Sequence, residues 1–299
     1  LHVAGQQAAG DAFWILAAPW SLRRASPGAL RVAFLDVGQG DAALVRFPDG
    51  RSLVVDCGGL GAGASFDVGE RVVSPALRAL GVRALDYLAL THGDPDHIGG
   101  ASAVIRDFTP SEVWEGVPVP PYEPLRLLAS AAARSRAAWR TLRAGDRVRI
   151  GGVDVRLWHP PPPDWERQQV RNDDSLVIEL RFGNVSVLLA GDIGREVERE
   201  LAPALEDAGL RVIKVPHHGS RGSLDRAFLR AVSPQVAVVS VGANNTYGHP
   251  TPEMLAAYKR LGARVFRTDL DGAVKLVTDG ARLDVYRYQD LTPQPVRLG

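Results

Sequence analysis

Residues 92–97 read HGDPDH, two histidines and two aspartates in six positions, and paired glycines follow at 99 and 100. Imidazole nitrogens and carboxylate oxygens are the donors from which hydrolytic centres for divalent cations are built. In the pattern His-x-Asp-x-Asp-His, alternate side chains of an extended loop point one way. His92, Asp94 and Asp96 can therefore share a face, and His97 enters from the following turn. The same residue types also make turns, and Asp96, just ahead of a helix start, is equally suited to a plain N-cap. Repetition decides between the two readings. Asp36 and Asp41, Asp192, the pair His217 and His218, and His249 all stand where an apolar run gives way to a polar loop; five of the six histidines beyond Leu90 lie in or near such loops. A two-metal hydrolytic site needs this convergence, with a carboxylate bridging ions about 3.5–4 Å apart. Asp192, in GD between LLA and a helix, suits the bridge.

Around these donors stand residues with two readings each. Asp41, at the end of DVGQGD, could orient a ligand histidine, and the alternative reading is that the glycines there only serve an unusual backbone path. Asp36 shares that ambiguity. Ser220, Arg221 and Ser223 of HHGSRGS, and Asn244, Asn245 and Tyr247 of NNTY, could hold a phosphate or do ordinary loop work. His159 opens a proline loop with no evident partner, which favours a structural or surface role. Cys57 is the only cysteine, so no intrachain disulfide is possible; it reads as a small buried thiol.

The elements that must carry these residues follow from periodicity. RVAFLDVGQGDAALVRF reads as strand, Gly-rich turn and strand, and RSLVVDCGG as a third strand. A helix is predicted at about 69–80, the apolar strand ALDYLALT at 84–91, and a basic, Ala-rich helix over 123–140. DSLVIELRFGNVSVLLAGD is a hairpin turning at Gly183-Asn184. LRVIKV and VAVVSV are further strands, each followed by a polar loop and a helix, and a last strand pair is expected around Asp271-Gly272. Two facing sheets with helices outside fit this order better than a doubly wound parallel sheet. One domain is expected over 30–290, after an N-terminal linker (1–29) that could be juxtamembrane and before a tail (291–299). DAFWILAAPW, at 11–20, is short of the roughly 20 apolar residues of a membrane span.

Composition excludes little. Thirty-five basic against 34 acidic residues leave a net charge of +1, so no global field draws nucleic acid or membrane. A local basic stretch, Arg134, Arg136, Arg140, Arg143, Arg147 and Arg149, could meet phosphates or be a solvated face. No GxGxxG or GxxxxGK[ST] follows a strand, so no nucleotide cofactor is expected.

FLDVGQGDA, THGDPDHIGG, NDDSLVIEL, LLAGDI, VPHHGS and NNTYGHP, in this order, resemble the C-terminal metallo-β-lactamase-like domain of ComEC-type DNA-uptake channel proteins. The likeness covers about residues 30–280 and implies an αββα four-layer sandwich with its site at one rim. It places His92, Asp94, Asp96 and His97 in the first ligand motif and Asp192 at the bridging carboxylate. Asp94 stands where a second histidine is usual, and NDDS, Asn172 to Ser175, where another ligand histidine precedes a serine. Such oxygen-rich ligation favours Mn²⁺ slightly over Zn²⁺, as one or two ions. The late ligand is His218 by strand order, with His217 beside it for proton transfer; YGHP resembles the final ligand motif of nucleases such as RNase J, which keeps His249 open.

The resemblance implies a metal-dependent nuclease acting on DNA, with a single strand degraded during uptake. The domain would belong to a cytoplasmic-membrane protein, on the outer face, with the transmembrane channel of the same parent chain as partner. Two alternatives stand beside it: a hydrolase of a small phosphodiester or ester, and a weak or inactive module that binds DNA or docks on the channel.

Overall fold

Strand residues of this chain are apolar on both faces because each face is covered. Along β1 (Leu30–Phe34), Val32 and Phe34 point to the space between two sheets, while Ala33, and Leu35 just beyond the strand, point to an outer layer of helices. The computed structural model describes residues 28–60, 65–162, 166–205, 208–289 and 295–298. The expected linker up to residue 27, with its apolar stretch 11–20, lies outside them.

Within the described residues there are two sheets. The nine-stranded first sheet adds β2 (Ala43–Arg46), β3 (Ser52–Val55), β4 (Tyr87–Leu90), β5 (Glu112–Glu115) and β6 (Ala138–Thr141) on one side of β1. On the other side are β14 (Val274–Thr278), β15 (Leu283–Arg287) and β16 (Val296–Leu298). The second sheet runs β13 (Arg264–Arg267), β12 (Val236–Val239), β11 (Leu210–Lys214), β10 (Val185–Leu189), β9 (Val177–Phe182), β8 (Val153–His159) and β7 (Arg147–Ile150). Their inner faces interlock around Phe34, Phe47, Trp114, Leu157, Ile178, Leu180 and Val212. Helices Ser74–Ala79, Ala101–Phe108 and Glu123–Arg134 cover the first sheet, and Arg195–Leu201, Arg226–Val232 and Pro252–Arg260 the second. The result is the expected αββα sandwich.

β3, β4, β5 and β6 run parallel, as do β10, β11, β12 and β13. Parallel strands deliver their C-terminal ends to one rim, and ligands gather there. Thr91-His92, Gly191-Asp192 and Pro216–Gly219 all leave the sheets at that rim.

Three local expectations are corrected. The helix predicted over 123–140 ends at Arg134; Ser135 turns its hydroxyl back onto Ala131 O at 2.8 Å, Arg136 takes a left-handed φ of 61°, and Ala138–Thr141 becomes edge strand β6. Alanine content favours helix, but the strand regains its hydrogen bonds by pairing with β5. The strands flanking Asp271-Gly272 do not pair. β13 and β14 belong to different sheets joined by the helical turn Thr268–Asp271, and the hairpin is β14–β15 around Asp279-Gly280. Finally, the segment read as a tail supplies β16, paired to β15.

Candidate metal centre

The HGDPDH loop is held by backbone before any side chain acts. Asp41 N donates to Asp96 O at 3.1 Å, and Cys57 N to His97 O at 2.7 Å. Gly40, at φ 128°, lies so close that a Cβ would meet Asp96 O at 2.2 Å, which only glycine avoids. This is the use of the second glycine in DVGQGD. The short helix Pro95–Ile98 starts after Asp94, and Asp94's carboxylate makes no capping bond. Asp96 lies inside the helix rather than at its cap, so the N-cap reading fails and both carboxylates remain for the site.

His97 is fully buried at the centre. Its Nδ1 is 2.8 Å from Asp56 Oδ2, and its Nε2 is 3.3 Å from Asp192 Oδ2. Asp56 is itself fixed by Thr91 N at 2.8 Å and by the Thr91 hydroxyl at 2.7 Å. His218 Nδ1 lies 2.9 Å from Ser240 O. A carbonyl can only accept, so that nitrogen carries a proton and Nε2 is the nitrogen left to face the site. This Nε2 is 3.3 Å from both Asp96 Oδ2 and Asp192 Oδ2. His92 turns Nδ1 toward the hydroxyls of Thr91 (3.1 Å) and Ser175 (3.3 Å), and its Nε2 is 3.4 Å from Asp94 Oδ2.

Rings of His92 and His97 stand 4.2 Å apart, and those of His97 and His218 5.5 Å. The Nε2 atoms of His92, His97 and His218 are buried without a hydrogen-bond partner. Buried polar atoms are rarely left so, and the unmet demand fits a divalent cation. Donor atoms within 4.8 Å of one another form the sets His92–His97–Asp192, Asp96–His97–His218 and Asp41–Asp192–His218.

The electrostatics agree. Burial works against charge on His97, His218, Asp96 and Asp192, yet the partners prevail. Burial alone would lower His218, but Asp192 and Asp41 raise it to about 10. His97 is likewise pushed down by burial and driven well above the usual imidazole value by Asp192 and Asp56. Burial would raise Asp96, but the adjacent imidazoles of His218 and His97 hold it at about 2. Asp192 lies well below the ordinary carboxylate value despite burial, through His218, His97 and Lys214. A site of this kind draws positive charge, and protons compete there with a metal ion.

Two residues at the centre carry no local sequence signal. Asp56 directly follows β3, where one acid at a strand end is unremarkable. Lys214 ends β11, and its ammonium contacts Asp41 Oδ2 and lies 3.3 Å from Asp192 Oδ1. The clue was a lysine inside an apolar run, in a chain with only three.

The remaining candidates divide. Ser175 is built into the cluster: its hydroxyl donates to Asn172 O at 2.6 Å and accepts from Asp192 N at 3.1 Å. Asn172 Nδ2 lies 3.3 Å from His217 Nε2. Asp173 is engaged by Gly194 N at 2.7 Å and Asp174 by Arg167 at 3.2 Å, so NDDS brings no imidazole substitute toward the three nitrogens. His217, at φ 48°, stands at the cluster's edge, its ring 6.3 Å from His218 and 5.9 Å from His249. His249 belongs to none of the donor sets among the described residues. Tyr247 is 69% exposed and stacks on His249 at 5.9 Å.

Asn245 is occupied within its loop, bonding Gly242 O at 3.0 Å and His249 O at 2.7 Å and accepting from His249 N at 3.1 Å. Asp36 is exposed and accepts from Gly38 N at 3.2 Å, a turn contact. Ser220 does the same for Gly222 N at 3.2 Å, and Ser223 donates to Ile193 O at 2.7 Å. His159 is a buried structural residue, its Nδ1 2.9 Å from Ser175 O. The basic stretch is spread over three elements. Arg134 ends a helix, Arg140 on β6 bonds Glu112 at 3.2 Å, and Arg149 on β7 faces Asp154 at 3.7 Å.

Fold and site together define a class: a four-layer sandwich with a histidine–aspartate cluster at the rim of its sheets. The chain belongs to the metallo-beta-lactamase superfamily, whose family model matches residues 35–243, more than half of the 299 residues. Among its relatives is ComE operon protein 3 of Bacillus subtilis, 33% identical over 256 residues, 82% of this chain and 32% of that protein. Another is competence protein ComA of Neisseria gonorrhoeae, 33% identical over 264 residues, 86% of this chain and 34% of that protein. These relatives fit the ComEC-type resemblance, and the chain spans about a third of their length (32% and 34%). Among solved structures, the diiron beta-hydroxylase CmlA of Streptomyces venezuelae superposes with a TM-score of 0.53 at 16% identity, over 85% of this chain and 54% of that one. YhfI of Bacillus subtilis, a metallo-beta-lactamase fold protein, gives 0.51 at 12% identity, over 79% and 95%. Those two likenesses show the fold alone.

Proposed function

We propose that the domain is a metal-dependent phosphodiesterase that cleaves DNA, with a single strand as its substrate during DNA uptake. The observation that carries this reading is the trio of buried, unpartnered imidazole nitrogens facing Asp96 and Asp192. In this reading His97, His218, Asp96 and Asp192 hold one ion, and His92 with Asp94 and Asp192 a weaker second. Asp94 supplies oxygen where an imidazole would be usual, which ranks Mn²⁺ ahead of Zn²⁺. A divalent ion held there supplies Lewis acidity and makes water a nucleophile at neutral pH.

The chain's own residues do the rest. Asp56 and Ser240 O orient His97 and His218, Ser175 steadies His92 and the Asp192 backbone, and His217 is placed to move the leaving-group proton. Tyr247 offers an exposed ring face, on which any base can stack. A shallow, open depression beside the His217–Gly222 loop is lined by Arg195, Glu196, Arg199 and Arg221. Its three guanidiniums could meet phosphates, although Arg199 and Arg221 already pair with Asp225 and Glu253.

The competence relatives support a role in DNA uptake; DNA as substrate, a membrane partner in the parent chain and a place on the outer membrane face are what this reading adds. Within the described residues no helix is long and apolar enough to cross a membrane. The test is cleavage of defined single- and double-stranded DNA across Mn²⁺, Mg²⁺ and Zn²⁺. Asp96→Ala and Asp192→Ala each abolish cleavage while circular dichroism stays unchanged; activity surviving both changes refutes the assignment.

A further inference from the structure

Lys214 is 4% exposed at the end of β11, with its side chain directed between the sheets. Its ammonium has three partners: Asp41 Oδ2, Asp192 Oδ1 at 3.3 Å and Gly191 O at 3.1 Å. The carboxylates come from opposite halves of the sandwich, Asp41 from the β1–β2 connection and Asp192 from the end of β10. Asp192 is thereby divided between two tasks. Oδ1 faces Lys214, while Oδ2 faces His97 Nε2 and His218 Nε2, both at 3.3 Å.

We infer that Lys214 is a positioning residue that fills the cation place in the Asp41–Asp192–His218 set and limits Asp192 to one oxygen toward the imidazoles. This rests on the metal-dependent reading above and adds to it. Of the donor sets around His218, one is closed by the protein's own ammonium, and Asp41 is a partner of Lys214 rather than a ligand. A lysine serving only to join the sheets would leave the coordination of a bound ion unchanged when replaced. A positioning lysine would not, because Asp41 and Asp192 Oδ1 would become buried anions without a counter-charge, and a metal is the nearest remedy.

The test uses Co²⁺, whose visible absorption weakens as coordination number rises, on the whole domain. Lys214→Met is expected to weaken that absorption markedly as Asp192 binds through both oxygens. It should also tighten Co²⁺ binding at least tenfold by calorimetry, since a neighbouring positive charge is gone. Lys214→Arg keeps the charge and should keep the wild-type spectrum. If Lys214→Met does not fold, the double change Lys214→Met/Asp41→Asn removes the ion pair as a unit and carries the same spectral expectation. A wild-type spectrum in the folded neutral variant overturns the positioning role alone. Failure of the wild-type domain to bind Co²⁺ overturns the metal reading beneath it.

Discussion

Each imidazole at the centre has one nitrogen committed to the protein and one turned inward. His97 leans on Asp56, His218 on Ser240 O, and His92 on the hydroxyls of Thr91 and Ser175. Fixing the outer nitrogen sets the tautomer and aims the inner one. The same comparison separates the two late histidines. His218 is oriented by Ser240 O and points at two carboxylates; His249 lies behind His217, with burial and the neighbouring imidazoles lowering its pKa. His218→Ala should therefore lose at least one bound Mn²⁺ per chain by elemental analysis, whereas His249→Ala keeps the wild-type number. The reverse result would move the late ligand to His249. Histidines and acids packed into HGDPDH and HHG announced themselves in the sequence. Asp56 and Lys214 did not, because a single charge at a strand end becomes meaningful only once the sheets bring its partners near.

At the scale of elements, the rim loops were legible as strand ends because long apolar runs stop abruptly there. The helix after Tyr122 is shorter than its alanine content predicts because propensity is local and the pairing that claims Ala138–Thr141 is not. Glycine positions were visible, but the reason for them was not. Gly40 is where the β1–β2 connection presses against the carbonyl of Asp96. Gly40→Ala must shift that backbone and adopt an unfavourable φ, a cost of about 1–3 kcal/mol for the strained conformation alone. Thermal unfolding should show a lower midpoint, and Mn²⁺ affinity should fall with it because Asp96 moves. An unchanged midpoint and affinity would mean that the contact is slack.

Over the whole molecule, the cluster draws Asp41, Asp56, His92, Asp96 and His97 from the first half of the chain and Asp192, Lys214 and His218 from the second. Away from it, the second half hides another carboxyl group. Glu198, on helix Arg195–Leu201, is fully buried; Oε2 accepts from Asp225 N at 2.6 Å, and Oε1 has no hydrogen-bond partner. Burial raises its carboxyl from 4.5 to about 8, more than the Asp225 hydrogen bond lowers it. Between those values the folded protein holds a proton that the unfolded chain releases. Stability contributed by this group is present at pH 4.5 and declines toward pH 8, by about 1.4 kcal/mol per pH unit at the steepest. Urea midpoints for the wild type should fall over that range relative to Glu198→Gln, which holds no titrating proton. Parallel curves for the two proteins would show that Glu198 titrates normally.

The lone cysteine has a use beyond packing. Cys57 is wholly buried, its amide grips the carbonyl of His97, and burial followed by the charge of Asp56 pushes its thiol well up. An alkylating reagent can reach that sulfur only while the grip is released. The rate of labelling therefore times how often this corner of the protein breathes open. Adding Mn²⁺ should slow that clock in proportion to occupancy, and a rate indifferent to metal would show that the corner opens independently of its cargo.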